Sequence, residues 1–234
     1  MKNLAICLSG IPRGLYCVET IKKISKYNNT VLFIWYWKEE KKDSLASNSR
    51  RKSPYHEDFD PSIFDIENIK YFHDSELFDL KVPIFKEKKQ KLKSKTIKDR
   101  DDLGIYGMTY GIMKANEMRE NYERKNNMVF DCVMRARFEL SFLKKGSTNY
   151  DENAVFRVED FDMNKLWISH TNTDIKYGMN DCLAFSNSKI MTHYSNVYNR
   201  LDELSKLEAH SPEIVFHHNT KQFERHPQYV LVGF

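Results

Sequence analysis

The sequence predicts an α/β fold built on a mainly parallel sheet, because strand-like and helix-like patterns alternate along the chain. Leu4–Leu8 and Thr30–Trp37 are continuous apolar runs, which are typical of strands buried on both faces. Between them, Val18, Ile21 and Ile24 repeat at helical spacing. A strand, a helix and a second strand in this order indicate parallel pairing.

The later elements follow from the same patterns. Ser211, Pro212 and Glu213 open a helix as N-cap, first helical residue and first-turn acid. The other predicted helices cover residues 15–27, 102–124 and 188–207, and the remaining strands cover residues 66–72, 129–134, 154–158, 166–169, 182–185 and 229–232. We expect a mobile polar loop over residues 38–60 and a solvated lysine-rich segment over residues 86–100.

Composition narrows the class of protein. The chain has 234 residues, 13% aromatic residues and a net charge of +4, which suit a single folded domain over residues 1–234 and argue against disorder. The longest apolar run is too short to span a bilayer, and no signal-peptide pattern follows Leu4–Leu8. The four cysteines form no CxxC pair and no zinc spacing. We therefore expect a reduced, cytoplasmic protein.

Three glycines mark one face of the long helix predicted over residues 102–124. Gly104, Gly107 and Gly111 recur at helical spacing, and each lowers helix stability relative to alanine. Close packing against a neighbour is the favoured explanation, and close approach of a ligand is the alternative.

The segment Ser9 to Arg13 is the first candidate site, because it joins a buried strand to a helix. Ligands of open α/β sheets bind at the carboxyl ends of strands, and helix N-termini favour phosphate. Arg13 adds a planar cation suited to bidentate phosphate contact. The segment matches neither GxGxxG nor GxxxxGK[ST], so an ordinary strand-to-helix turn is an equal alternative.

The second candidate site follows the strand that ends near Met134. Arg135, Arg137 and Glu139 alternate, so an extended strand would place all three on one face. The phosphates of a nucleotide diphosphate would pair with the two arginines, and a divalent cation would pair with the Glu139 carboxylate. The alternative is an internal salt bridge between an arginine and Glu139 at the strand end.

Single acids and short acidic motifs give weaker candidates. Asp181 precedes a buried strand, and Glu213 lies where a helix dipole favours the ionised carboxylate. The alternative role of Asp181 is to form a turn, and that of Glu213 is to cap the helix. Two D-x-D motifs, at residues 58–60 and 160–162, are weak signals, of which Asp160 with Asp162 is kept as a competing metal site. Cys132 and Cys182 lie in apolar strands and are interpreted as inert core thiols.

Taken together, several motifs resemble one family. They are Leu-Ser-Gly-x-Pro-Arg near the start, the aromatic strand ending in Trp37, Phe-Asp-Cys-Val-Met-Arg-Ala-Arg-Phe-Glu-Leu, and Met-Asn-Asp-Cys-Leu-Ala-Phe-Ser-Asn-Ser-Lys-Ile-Met. This order is similar to that of small glycosyltransferase-like proteins of bacterial surface-polysaccharide clusters, of the WavE type, and of large viruses and phages. The resemblance implies a GT-A-like fold, with a mixed, mostly parallel central sheet flanked by helices.

The resemblance also implies an activity. It implies transfer of a sugar from a nucleotide-sugar donor to a glycan acceptor, assisted by Mn²⁺ or Mg²⁺. Ser9, Gly10, Arg13, Arg135 and Arg137 match the donor-binding positions.

The resemblance assigns the acids as well. Glu139 stands where the family usually has the metal-binding Asp, and Asp181 matches the acid before the later strand. Asp181 or Glu213 is the expected catalytic base. The longer Glu139 side chain motivates an alternative, a sugar-nucleotide-binding module without turnover. A basic nucleic-acid-binding protein is the third possibility, weakened because no aromatic residue interrupts the lysine-rich segment.

Overall fold

The computed structural model describes residues 1–12, 15, 17–38, 59–91, 103–142, 151, 153–169, 182–204, 212–228 and 231–233. The strands in these ranges are β1 (Asn3–Gly10), β2 (Asn29–Lys38), β3 (Lys70–Leu77), β4 (Cys132–Ala136), β5 (Leu140–Phe142), β6 (Leu166–Ser169), β7 (Leu183–Ser186), β8 (Arg225–Gln228) and β9 (Leu231–Gly233). The α-helices are α1 (Cys17–Ser25), α2 (Phe78–Lys91), α3 (Gly104–Asn126), α4 (Ser188–Ser195), α5 (Leu201–Leu204) and α6 (Pro212–Thr220), and 3-10 turns cover Pro61–Phe64, Val158–Asp160 and Asn196–Arg200.

Within the described ranges, one sheet of seven strands has the spatial order β3-β2-β1-β4-β7-β6-β8. The pairs β3–β2, β2–β1, β1–β4 and β6–β8 are parallel. Strand β7 runs antiparallel to both of its neighbours. Strands β5 and β9 form a separate antiparallel pair. The α/β class with a mostly parallel central sheet flanked by helices is therefore confirmed.

Side chains alternate between two cores on the two faces of the sheet. In β1, Leu4, Ile6 and Leu8 face the core that contains α1, whereas Ala5 and Cys7 face the core covered by α3. Both sets are almost fully buried. The first strands are continuous apolar runs because each of their faces is covered by a helix.

The glycines of α3 let this helix approach aromatic side chains of β2 and of the start of α2. A Cβ atom on Gly111 would lie 3.0 Å from Cε3 of Trp35, and one on Gly107 would lie 2.7 Å from Cε2 of Phe78. The indole Nε1 of Trp37 donates a 3.1 Å hydrogen bond to the carbonyl of Gly107. Close packing, as favoured by the sequence, explains both glycines.

Two predicted strands are shifted along the chain. The segment predicted to start at Ile66 first forms a turn, in which Asn68 has a φ of +68° and Ile69 N–H donates to the Ile66 carbonyl. The strand predicted over residues 129–134 begins only at Cys132, because the Phe130 N–H donates to the Glu123 carboxylate.

One predicted strand is wrong and one predicted helix is interrupted, and asparagine side chains explain both. Residues 154–158 form no strand: the Asn28 amide donates to the Phe156 carbonyl and accepts from the Val158 N–H. The helix predicted over residues 188–207 breaks after Ser195, where the Asn219 amide donates to the His193 and Tyr194 carbonyls. A 3-10 turn and the short helix α5 follow.

Three further expectations concern other parts of the chain. Most of the loop predicted over residues 38–60 lies outside the described residues, as does the lysine-rich segment beyond residue 91. The start of that segment forms the end of α2. In the ranges given above, no helix combines the length and the apolarity needed to cross a membrane.

Candidate functional site

The carboxyl ends of β1 and β4 lie side by side. Their parallel register pairs Leu8 with Ala136, so Ser9 and Arg137 follow at the same level of the sheet edge. Because β7 is antiparallel to β4, it begins at this edge, with Cys182 just before it. The Nη1 atom of Arg137 lies 3.9 Å from the Cys182 sulfur. Three chain segments therefore meet where open α/β sheets bind ligands.

Arg137 and Glu139 form an ion pair at this edge. The Nη2 atom of Arg137 lies 3.2 Å from Oε1 of Glu139. The Arg137 side chain is 26% exposed and that of Glu139 is 5% exposed. The Arg137 side chain is therefore partly accessible from solvent, while the Glu139 carboxylate is held inside.

The prediction that Arg135, Arg137 and Glu139 share one face is wrong. Strand β4 ends at Ala136, and the Leu140 N–H then donates to the Arg137 carbonyl, which closes a turn. The pairing of Arg137 with Glu139 matches the internal salt bridge that the sequence left open. It does so through a turn and not through an extended strand.

Arg135 and Ser9 lie on the face of the sheet that α3 covers. Arg135 is buried, two residues after the core residue Val133 and beside Cys7 in the register. Ser9 is 2% exposed, and its Oγ has no hydrogen-bond partner among the residues that the structure describes. A Cβ on Gly111 would lie 3.7 Å from the Ser9 Cβ, so the serine sits directly beneath α3. Ser9 is thus part of β1, and its side chain packs in the interior.

Gly10 ends β1 in a conformation that side-chain-bearing residues rarely adopt. Its φ is +128°, and a Cβ built on it would meet no atom within 4 Å. The requirement for glycine is therefore a backbone requirement, which turns the chain away from the sheet at the candidate site.

Buried thiols around the site have altered acidity. Burial raises the pKa of the Cys17 thiol, and the nearby Glu139 carboxylate raises it further. Burial raises the pKa of Cys7 to about 12, with the Arg119 guanidinium acting in the opposite direction. The described cysteines are free and buried, so they are unreactive at neutral pH and form part of the core.

The structure does not unite all of the predicted site residues. Arg13 and Asp181 lie outside the described residues. Glu213 lies in the first turn of α6, and no contact in the described part of the chain joins it to the Arg137–Glu139 pair. Asp160 is exposed, and Asp162 accepts the Asn164 N–H in a turn before β6. For the last two acids, this arrangement favours a turn role.

The described side chains do not fit a divalent metal at Glu139. Its carboxylate is buried and paired with a cation, whereas Mg²⁺ and Mn²⁺ need several oxygen ligands. No group of three His, Cys, Asp or Glu residues capable of holding a metal occurs within the described ranges. Metal binding by Glu139 stays a prediction from the sequence.

A buried charged network between α3 and α4 was missed by the sequence analysis. Arg119 is fully buried, and its Nη1 lies 2.5 Å from Oε2 of Glu123 and 2.5 Å from Oγ of Ser188. Its Nη2 donates to Asn116 and Thr192. The i,i+4 spacing of Arg119 and Glu123 could have indicated the pair, but not its burial. The network joins two helices and pairs the Arg119 charge with that of Glu123, while Nε of Arg119 is buried without a hydrogen-bond partner among the described residues.

A second missed cluster lies at the carboxyl end of β3. The Tyr110 hydroxyl donates a 2.9 Å hydrogen bond to Oε1 of Glu76, and Lys81 lies 2.8 Å from Oε2. The Glu76 carboxylate is the main cause that raises the pKa of Lys81. These contacts tie α2 and α3 to the edge strand, and no local sequence pattern indicates them.

Comparison with known proteins gives a distant structural likeness. No family model matches the chain, and no curated protein matches it. Among solved structures, the chain is similar to the apo form of the glycosyltransferase GlyE of Streptococcus pneumoniae TIGR4, at 10% sequence identity and a TM-score of 0.40. The likeness covers 97% of this chain and 45% of that one, so the chain spans less than half the length of GlyE.

Proposed function

We propose that the protein is a glycosyltransferase that moves a sugar from a nucleotide-sugar donor to a glycan or surface-polysaccharide acceptor. The sequence motifs that resemble glycosyltransferase-like proteins support the reaction class. The mostly parallel sheet, with its carboxyl edge formed by β1 and β4, provides the scaffold.

The position of Arg137 is the single observation that carries this proposal. Its side chain is partly exposed at the carboxyl end of β4, level with the end of β1, where open α/β sheets bind nucleotides. A planar guanidinium forms strong paired hydrogen bonds with phosphate oxygens. Buried Arg135 adds a second positive charge to the same region of β4. A diphosphate fits this charge better than a neutral ligand would.

In the proposed reaction, Arg137 neutralises charge on the departing nucleoside diphosphate as the sugar bond breaks. The backbone at Ser9 and Gly10, together with Arg13, would orient the donor. Asp181 or Glu213 would accept the proton of the acceptor hydroxyl. In this scheme the charge neutralisation is assigned to the arginines, because the Glu139 carboxylate is already paired with Arg137.

A second candidate function is a sugar-nucleotide-binding module without turnover. The Arg137–Glu139 ion pair favours it, because a buried carboxylate that is already paired is poorly suited to hold a metal. Such a module would bind the donor with the same residues. It would release no nucleoside diphosphate when donor and acceptor are mixed.

Calorimetry with the common nucleoside diphosphates and their sugars tests the proposal. We expect binding by the wild type and weaker binding by Arg137→Ala. Arg200→Ala is the matched control, because Arg200 is 27% exposed and paired with Glu203, outside the candidate site. Absence of binding at millimolar ligand, with manganese present, would contradict both candidate functions. Binding without diphosphate release in the presence of glycan acceptors would favour the second.

A further inference from the structure

Strand β3 lies at one end of the seven-stranded sheet. It pairs with β2 along its whole length, and no strand in the described ranges pairs with its other edge. The Ser75 N–H donates a 2.8 Å hydrogen bond to Oδ1 of Asp74, so this amide is satisfied locally and not by β2. Because backbone groups alternate along a strand, the amides of Tyr71 and His73 face the same outer edge. Such an edge is a template for pairing with another strand.

One face of β3 carries a lysine, an aromatic ring and an acid at alternate positions. Lys70, Phe72 and Asp74 are two residues apart, so all three lie on the face that α3 covers. The Phe72 ring packs on Tyr122 of α3, with ring centres 5.2 Å apart, yet Phe72 is 40% exposed. Lys70 and Asp74 are exposed as well. Positive charge, ring and negative charge in this order are complementary to the same strand running in the opposite direction.

We propose that two copies of the chain form a dimer in which their β3 strands pair antiparallel about a two-fold axis through Phe72. The backbone groups of Tyr71 then bond to those of His73 in the second copy, which joins the two sheets edge to edge. The two Phe72 rings meet at the axis, and Lys70 of each copy lies opposite Asp74 of the other. This assembly goes beyond the proposed glycosyl transfer and does not depend on it.

Geometry and charge select this register. Directly opposite residues in an antiparallel pair point to the same face, so the axis must pass through a residue and not between two. An axis through Asp74 would bring two carboxylates together. An axis through His73 would place the Phe72 ring opposite the Asp74 carboxylate. It would also match Lys70 with Glu76, which already has an ion pair inside its own chain.

The opposite end of the sheet differs from this edge. Strand β8 contains Pro227, a residue that cannot donate a backbone hydrogen bond and is typical of protected sheet edges. Strand β3 contains no proline, and its charges are of both signs. Two copies therefore meet through β3 without the repulsion that an edge of one charge sign would cause.

Analytical ultracentrifugation of the full chain tests the dimer. We expect the wild type to dimerise as its concentration rises. Lys70→Asp should raise the dissociation constant about tenfold, because two opposite-charge pairs become like-charge pairs. Adding Asp74→Lys should restore dimerisation, because the two charges are then exchanged. Lys189→Asp is the matched control, since Lys189 is exposed in the first turn of α4 and not on β3, and it should leave the constant unchanged.

Disulfide formation reports the register. The four natural cysteines are buried, so a cysteine introduced on β3 crosslinks without interference from them. Opposite residues that exchange no backbone hydrogen bonds have Cα atoms about 4.5 Å apart, within the range of about 4.4–6.8 Å that a disulfide spans. Phe72→Cys should therefore give a covalent dimer on oxidation. His73→Cys should not, because the two copies of this residue lie more than about 7 Å apart in this register.

Thermal unfolding checks that every variant is folded. The proposal is overturned if the wild type stays monomeric at its highest soluble concentration, as it would if a strand of another protein were the occupant of this edge. It is also overturned if folded Lys70→Asp dimerises as the wild type does, or if the charge exchange fails to restore the dimer. Stronger crosslinking by His73→Cys than by Phe72→Cys would overturn the register.

Discussion

The Arg137 guanidinium and the Glu139 carboxylate are joined across a turn by a 3.2 Å contact, with the cation partly exposed and the anion buried. Glu139 therefore depends on Arg137 for charge compensation, while Arg137 can also reach a ligand from solvent. A phosphate group that binds Arg137 would share the guanidinium with Glu139, and the negative charge of that carboxylate would oppose the binding.

The first prediction concerns the stability of this pair. Arg137→Ala should lower the free energy of unfolding by about 1–3 kcal/mol, because it leaves a buried carboxylate without its partner. Glu139→Gln in the Arg137→Ala background should restore most of that loss. Urea unfolding of the four members of this double-mutant cycle measures the coupling. If Arg137→Ala lowered the free energy of unfolding by the same amount in the wild type and in the Glu139→Gln variant, Glu139 would not depend on Arg137 for charge compensation.

The second prediction concerns ligand binding and metal. Glu139→Gln should raise affinity for a nucleoside diphosphate severalfold, because Arg137 loses its competing anion. The rise should be the same in manganese and in chelator. Calorimetry of wild type and variant under both conditions measures it. An affinity loss confined to manganese would instead identify Glu139 as the metal ligand that the resemblance implies.

The third prediction concerns the close approach of α3 to its neighbours. Gly107→Ala should destabilise the protein, because a Cβ would lie 2.7 Å from the Phe78 ring. Overpacking costs about 1–3 kcal/mol, which outweighs the gain of about 1 kcal/mol in helix propensity. Gly104→Ala, at the exposed first residue of the helix, is the control and should not destabilise. A higher thermal midpoint for Gly107→Ala would show that the ring moves aside freely.

The fourth prediction concerns pH. Burial lowers the pKa of His217, and the Arg225 guanidinium beside its Nδ1 lowers it further. The unfolded chain therefore takes up this proton first as pH falls below about 6.5, so folding stability decreases in that range. His217→Gln should reduce this decrease, whereas replacement of the exposed His73 should not. Urea midpoints between neutral and mildly acidic pH measure the difference, and identical slopes for wild type and His217→Gln would contradict it.

Local sequence patterns predicted those parts of the fold that local physics decides. Thr30–Trp37 and Leu166–Ser169 are strands because apolar and β-branched runs suit a buried sheet. The long helix follows from its periodicity. The segment over residues 154–158 was mispredicted because a single amide, that of Asn28, lies far away in sequence and takes its backbone hydrogen bonds.

The sequence identified the charged residues of the candidate site, but it did not predict how they are oriented relative to one another. Arg137 and Glu139 are visible as charges after an apolar strand. Their relative orientation depends on where β4 stops, and one turn hydrogen bond, from Leu140 to Arg137, decides this. The burial of Arg119 was missed because the hydroxyl groups of Ser188 and Thr192 on α4 are brought close to it only by folding.

The four buried cysteines make unfolding measurable as a chemical reaction. Burial raises the pKa of the Cys7 thiol far above neutral, so the folded protein presents almost no thiolate there, and the same burial blocks alkylating reagents. Alkylation of the natural thiols therefore requires the protein to open, so its rate reports the frequency of opening. A single cysteine placed on the surface would react at once, which allows a probe to be attached there without background labelling.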